Sequence, residues 1–181
     1  MLLPFIAGEI PIRATSKQFS TALRQRVNRG FLNNLPGVRQ NYELVDCGSL
    51  SANVRAGNWL TAINVGMNDL FLDLSDSGKI QYRLSYWRWT TYCVGLGMIL
   101  GLVMVAIFLT IDIRQYIANN PSARLPGLTI DQNVYFAWGN VSFWGFVWPW
   151  ILVVLHKRSL RKLLMKTIAE VDEIANAKNT G

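Results

Sequence analysis

Two uncharged runs constrain this chain more than any other feature. Residues 89–111 and 134–155 contain no Asp, Glu, Lys, Arg or His. Each run is close to the roughly 20 residues that a helix, rising about 1.5 Å per residue, needs to cross a hydrocarbon core of about 30 Å. The sequence therefore predicts a membrane protein whose two transmembrane helices are joined by the loop 112–133.

The distribution of positive charge predicts the orientation of these helices. Ten of the 18 Lys and Arg residues lie in 1–88 and six in 156–181, whereas the connecting loop holds only Arg114 and Arg124. Basic residues concentrate on the cytoplasmic side of a membrane. We therefore predict a prokaryotic inner-membrane protein with both termini in the cytoplasm and an outward-facing loop. This topology accounts for the net charge of +7, so the charge does not indicate a nucleic-acid partner.

The segment 1–88 is predicted to be a cytoplasmic α+β domain. Its apolar first dozen residues have no positive leading segment and are interrupted by Pro4, Gly8 and Glu9, so they are expected to be retained and not to span the membrane. Thr15 and Gln18 have the spacing of a helix capping box. The helix that follows should bury Phe19, Ala22, Leu23 and Val27, and expose Lys17, Arg24, Arg26 and Arg29 on the opposite surface.

Four strands of a mainly antiparallel sheet are predicted after this helix, at 42–46, 51–56, 67–74 and 79–87. The last two runs alternate apolar and polar residues with the period of half-buried strands. A three-residue connection ending at Gly78 would pair Leu70 with Leu84, Leu72 with Tyr82 and Leu74 with Ile80. The sequence leaves the structure of residues 57–66 open, because their apolar spacing fits a helical turn as well as a strand.

The tail, 156–181, is predicted to be a basic amphipathic helix. Its apolar stripe comprises Leu160, Leu163, Leu164, Ile168 and Val171. Such a stripe needs a cover. Either the chain's own leading domain or a partner subunit would supply it, and the sequence does not decide between them.

Few residues suggest catalytic chemistry. The chain has one histidine and two cysteines, and it shows neither metal-ligand spacing nor a phosphate-binding glycine loop. Asp69 and Asp73 alternate with apolar residues, which favours a solvated sheet face over an acid–base pair. Cys47 and Cys93 are predicted to be buried thiols and not a disulfide, because Cys93 lies inside the first span. We therefore expect a protein that is not an enzyme and holds no metal.

Aromatic and basic residues near the predicted span ends are expected to anchor the chain at the membrane interface. These are Trp87, Trp89, Trp138, Trp150, Lys157, Arg158, Arg161 and Lys162. His156 is a weak candidate for a cofactor ligand, but its position between the second span and Lys157 favours an interfacial role.

Two groups of residues inside the spans are candidates for helix packing or partner contact. Gly97 and Gly101 form a small-xxx-small pair, with Gly145 as the counterpart in the second span, and we interpret them as the packing of the two spans on each other. Trp144 and Trp148 lie about 18 and 12 Å from His156 along a helix, which is too deep for an interfacial belt. They are therefore expected to contact another protein helix, a lipid or a flat cofactor.

The leading hypothesis is a non-catalytic accessory subunit that docks on other integral membrane subunits and stabilises a larger energy-transducing, photosynthetic or transport assembly. Three apolar surfaces motivate it. They are the surface of Trp144 and Trp148, the apolar stripe of the tail (the tail stripe), and the surface of Gly97 and Gly101, which we call the glycine face. One alternative is a membrane-bound binding module for a lipid, quinone or pigment, with Trp144, Trp148 and His156 as weak candidates. Another is a homo-oligomeric scaffold. No cofactor is predicted, although a lipid or pigment at a subunit interface stays open.

Overall fold

The chain divides into two compact units. In a computed structural model that describes residues 4–32, 42–76 and 78–177, residues 1–91 together with 155–181 form the leading unit, and residues 92–154 form the hairpin unit. The tail predicted as a separate segment thus belongs to the same unit as the leading domain. The fold is α+β, with a five-stranded sheet. Two helical stretches, Trp87–Thr110 and Ile130–Ala177, are long and apolar enough to cross a membrane.

The sheet of the leading unit is antiparallel throughout, in the order β1-β5-β4-β3-β2. Its strands are β1 (Phe5–Pro11), β2 (Tyr42–Cys47), β3 (Ser51–Ala56), β4 (Asp69–Asp73) and β5 (Lys79–Ser85). The predicted hairpin register is confirmed where β4 and β5 pair, since Leu70 lies opposite Leu84 and Leu72 opposite Tyr82. Gly78 has a φ of +85°, as the predicted turn requires, while Ser77 lies outside the described residues.

The strand β1 was not anticipated by the sequence analysis. It lies at the edge of the sheet and pairs with β5 from Phe5 opposite Ser85 to Pro11 opposite Lys79. Ile6 and Ile10 face the core, whereas Ala7 and Glu9 are exposed. An edge position explains how the strand tolerates a proline, because one side of an edge strand needs no ladder hydrogen bonds.

Helix α1 (Ser16–Asn28) covers the core with the predicted stripe. Thr15 and Gln18 form the predicted capping box, and Phe19, Ala22, Leu23 and Val27 are buried. Lys17, Arg24 and Arg29 are exposed as expected. Arg26 is the exception, because its side chain is only 13 % exposed and forms a 2.7 Å salt bridge with Glu170 of the tail.

Helix α2 (Trp59–Val65) resolves the segment that the sequence left open. The side chain of Asn58 accepts a hydrogen bond from the Thr61 amide, and Gly66 ends the helix with a φ of +79°. This is the usual pairing of a polar N-cap and a left-handed glycine. Thr61, Ala62 and Val65 face the core, while Trp59 and Leu60 are exposed.

The tail stripe is covered by the leading unit itself. Leu160, Leu164, Ile168 and Val171 are each at most 2 % exposed, whereas Leu163 is only half-buried. They belong to α6 (Trp148–Ala177), whose later part lies in this unit. The Asp172 carboxylate accepts hydrogen bonds from the backbone amides of Arg13 and Ala14, at 2.9–3.1 Å. These polar contacts hold the tail helix beside the loop that precedes α1.

The hairpin unit consists of helical segments. After α3 (Trp87–Thr110) come α4 (Ile113–Asn119), a 3-10 turn (Pro121–Ala123) and α5 (Ile130–Ser142). A π-turn (Phe143–Val147) then joins α5 directly to α6. The connecting loop therefore contains a separate two-turn helix. Thr129 and Gln132 form a capping box at the start of α5.

Candidate functional site

The apolar surfaces of the hairpin unit differ in what covers them. Gly97 and Gly101 of α3 are buried. A Cβ at Gly97 would overlap the ring of Pro149, and a Cβ at Gly145 would lie 2.5 Å from the Cα of Gly101. The two helices thus approach at backbone distance, so the chain itself occupies the glycine face.

The aromatic face, defined as Phe143, Trp144 and Trp148, is only partly covered by the described residues, among which Trp148 is half-buried. Trp144 is 55 % exposed and Phe143 is 39 % exposed. The three rings instead contact one another, with centroids 5.1 Å apart for the two tryptophans and 5.3 and 6.1 Å for their contacts with Phe143. The indoles of Trp144 and Trp148 contact neighbouring rings. Neither indole N–H donates a hydrogen bond to another described residue. A buried indole N–H usually has an acceptor.

The π-turn, which contains Phe143 and Trp144 of the aromatic face, has a local cause in the sequence. Pro149 has no N–H, so it cannot donate to the carbonyl of Gly145, four residues earlier. The preceding turn is widened, and the amide of Trp148 donates to the carbonyl of Phe143, five residues back. Widened turns of this type are frequent at functional sites. The sequence contained this signal, because Pro149 directly follows Trp148.

His156 lies in an enclosed position in the leading unit. Its ring stacks on Trp89 at 4.0 Å with an interplanar angle of 15°, and it meets the edge of Tyr86 at 6.3 Å. A Cβ at Gly66 would overlap the Nε2 atom. Burial lowers the pKa of His156, and the nearby backbone of Gly66 acts in the opposite direction. The imidazole of α6 thus packs against the beginning of α3 and the end of α2.

The predicted interface anchors occupy different environments. Trp87 is 42 % exposed and contacts Trp59 edge to face at 5.9 Å. Trp89 stacks on His156, so one of its faces is covered. In the hairpin unit, Trp138 contacts Phe108 at 5.2 Å and Trp150 is 41 % exposed. The basic anchors Lys157, Arg158, Arg161 and Lys162 are all exposed.

Asp69 and Asp73 have structural partners, and both cysteines are half-buried. Asp69 forms a 2.7 Å salt bridge with Arg55, and hydrogen bonds from Ser75 lower the pKa of Asp73. Cys47 and Cys93 are free thiols. Among the described residues, no group of three or more His, Cys, Asp or Glu side chains could hold a metal ion.

Comparison with known proteins gives no relative from which a function could be transferred. No family, no curated protein and no solved structure matches this chain. The aromatic face is therefore the candidate functional site on geometric grounds: it lies in a potential membrane span, it carries two indole donors, and Phe143 and Trp144 are exposed in it.

Proposed function

We propose that the protein is a non-catalytic accessory subunit of a larger inner-membrane complex, and that it docks on another integral membrane subunit through the aromatic face. The observation that carries the proposal is the exposure of Trp144, at 55 %, beside the exposed ring of Phe143 in a helical stretch that is apolar enough to cross a membrane. The host would be an energy-transducing, photosynthetic or transport assembly of prokaryotic type.

The covering of the other two apolar surfaces narrows the proposal to one site. The tail stripe is buried within the leading unit, and the glycine face is buried within the hairpin unit. Neither surface needs a partner. The aromatic face is thus the one of the three surfaces that motivates a second subunit.

The depth of the aromatic face favours a protein partner over an ordinary membrane-interface role. Trp144 lies about 18 Å along the helix from His156, which is near the middle of a hydrocarbon core about 30 Å thick. Lipid tails offer no acceptor for an indole N–H at that depth, whereas a neighbouring helix offers carbonyl and hydroxyl oxygens.

The charges of the loop support an orientation with cytoplasmic termini. Arg114 forms a 2.9 Å ion pair with Asp131, and Arg124 donates to backbone carbonyls of α4, those of Ile117 and Ala118. The exposed cations beside the second span are concentrated on α6 in the leading unit, at Lys157, Arg158, Arg161 and Lys162. This asymmetry matches the cytoplasmic bias of basic residues.

The proposal is tested by purifying the protein from its native membrane in a mild detergent and measuring the mass of the intact particle. We expect a fixed set of other polypeptides in stoichiometric amounts. The double variant Trp144→Leu/Trp148→Leu should lose them, whereas Tyr135→Leu, which replaces another exposed aromatic of the same helical stretch, should retain them.

Other outcomes of this purification contradict the proposal. Recovery of this chain alone with an extractable lipid, quinone or pigment would indicate a membrane-bound binding module and not an accessory subunit. A particle containing several copies of this chain alone would indicate a homo-oligomeric scaffold. Retention of the same polypeptides by the double tryptophan variant would remove the aromatic face from the docking site.

A further inference from the structure

A second exposed aromatic group lies in the leading unit, at the position where the first candidate span begins. Trp87 is the first residue of α3, and its ring contacts Trp59 of α2 at 5.9 Å with an interplanar angle of 76°. Trp59 is 46 % exposed, Trp87 42 % and Leu60 69 %. Two distant segments of the sequence therefore present their largest apolar side chains together on the surface.

A positive charge is built into this group. The guanidinium of Arg88 lies 5.6 Å from the centroid of the Trp59 ring and 5.6 Å from that of Trp87. We call Trp59, Leu60, Trp87 and Arg88 the α2 patch. Indoles combined with arginine are typical of the headgroup region of a bilayer, where the ring is partly apolar and the cation meets phosphate.

The surroundings of the α2 patch add further positive charge. Trp89, two residues after Trp87, stacks on His156, which brings the beginning of α3 beside α6. The next residues of α6, Lys157 and Arg158, are exposed, as are Arg161 and Lys162 one turn later. This end of the leading unit therefore combines apolar rings with a cluster of cations.

We propose that the α2 patch is a membrane-surface anchor: Trp59, Leu60 and Trp87 insert into the headgroup region beside α3, and Arg88 binds the phosphate of an anionic phospholipid. The inference rests on the membrane location in the proposed function. Its occupant is lipid because the patch is continuous with the first residue of a candidate membrane span, and because its charge is complementary to anionic headgroups. The anchor holds the leading unit on the bilayer surface.

The experiment uses the full chain in nanodiscs of phosphatidylcholine with or without phosphatidylglycerol, with no other polypeptide present. In a Cys47→Ser/Cys93→Ala background, a fluorescent probe is attached to a cysteine replacing Leu60. The matched control replaces Leu50, which is 61 % exposed in the same unit, and the insertion control replaces Leu102 of α3. Quenching by nitroxide lipids labelled near the headgroup or deep in the chain reports the position of each probe.

We expect headgroup-level quenching at position 60, deep quenching at position 102 and none at position 50. The combined change Trp59→Ala/Trp87→Ala should abolish quenching at position 60. With phosphatidylglycerol present, Arg88→Gln should lower the ratio of docked to undocked leading unit by about fivefold, since one basic residue near an anionic surface contributes on that order. In pure phosphatidylcholine, Arg88→Gln should have a smaller effect.

The controls separate failure of the anchor from failure of the proposed function. Deep quenching at position 102 together with equal, weak signals at positions 60 and 50 would overturn the anchor and leave the membrane location standing. Absence of quenching at position 102 would overturn the membrane location and the anchor with it. Protection of position 60 from a water-soluble thiol reagent in native membranes but not in nanodiscs would assign the patch to a protein partner and overturn the lipid proposal.

Discussion

The tail stripe and the aromatic face are apolar surfaces on one helical stretch, Ile130–Ala177, yet the described residues bury the first and leave much of the second exposed. Leu164 is 1 % exposed in the leading unit, whereas Trp144 is 55 % exposed in the hairpin unit. Both have the helical spacing that predicts a buried face. Periodicity thus shows that a surface needs cover without showing what supplies it.

Polar contacts explain the difference between these two surfaces. Beside the tail stripe, Glu170 pairs with Arg26 and Asp172 binds the amides of Arg13 and Ala14, so directional bonds fix the helix on its own sheet domain. The aromatic face has no comparable bonds in the described residues, and its rings contact one another. The stripe is therefore an intrachain contact, and the aromatic face is the proposed docking site.

The largest expected effect concerns the covered stripe. Leu164→Ala should lower the free energy of unfolding of the leading unit by about 2–5 kcal/mol, because it removes a buried side chain and leaves a cavity. Trp144→Leu, an exposed replacement, should change the stability of that unit by less than about 0.5 kcal/mol. Urea titration in detergent micelles, followed by circular dichroism of the sheet, measures both. Equal effects would abolish the distinction between the two surfaces.

The glycine face allows a test with a matched neighbour. Gly97→Leu should destabilise the hairpin unit by about 1–3 kcal/mol, because the new side chain collides with Pro149 and overpacking has costs of this order. Gly95→Leu should be tolerated, since a Cβ there meets nothing within 4 Å. Thermal unfolding in micelles, followed by tryptophan fluorescence, compares the two. A tolerated Gly97→Leu would mean that the spans do not pack through this face.

The polar contacts of the tail predict an intermediate effect. Asp172→Asn should destabilise the leading unit by about 1–2 kcal/mol, because a neutral amide replaces a charged acceptor of backbone N–H groups. Glu173→Gln, which changes a neighbouring exposed carboxylate, is the control and should have little effect. The urea titration used for Leu164 measures both variants, and equal unfolding midpoints for them would show that Asp172 does not hold the tail.

The smallest expected effect is a pH dependence of the stability of the leading unit. Burial lowers the pKa of His156 in the folded protein, so protonation favours the unfolded chain. The contribution of neutral His156 to the free energy of unfolding is fully present above the pKa of about 6.5 that it has in the unfolded chain. This contribution is lost as the pH falls below that value toward the lower pKa of the folded protein. His156→Phe, which retains a ring against Trp89, should make stability less sensitive to pH between about 7 and 5. An unchanged pH profile would show that another group titrates.

The sequence predicts most of the leading unit because its signals are local. Alternation identified β4 and β5 and their register, and the capping residues Thr15 and Gln18 located α1. The strand β1 was missed because Gly8 and Pro11 interrupt its alternation, and only pairing with β5 makes it a strand. Helix α2 stayed open because seven residues are too few to distinguish periodicities, whereas its caps, Asn58 and Gly66, were visible in the sequence.

The candidate sites were predictable to different extents for the same reason. Gly97, Gly101 and Gly145 could be assigned from spacing, and the depth of Trp144 followed from counting residues along a helix. The stacking of His156 on Trp89 and the contact of Trp59 with Trp87 could not be assigned, because each joins segments distant in the sequence. Asp172 gave no signal either, since its partners are backbone amides of another segment.

The most direct test of the proposed function is photo-cross-linking from the aromatic face in native membranes. A photoreactive phenylalanine analogue replaces Phe143, which retains both tryptophans, and a control replaces Phe136, another exposed phenylalanine of the same helical stretch. We predict that the analogue at position 143 cross-links to one integral membrane polypeptide of defined mass, and that the control reacts mainly with lipid. Cross-linking of position 143 to lipid alone would contradict the proposal that another subunit covers this face.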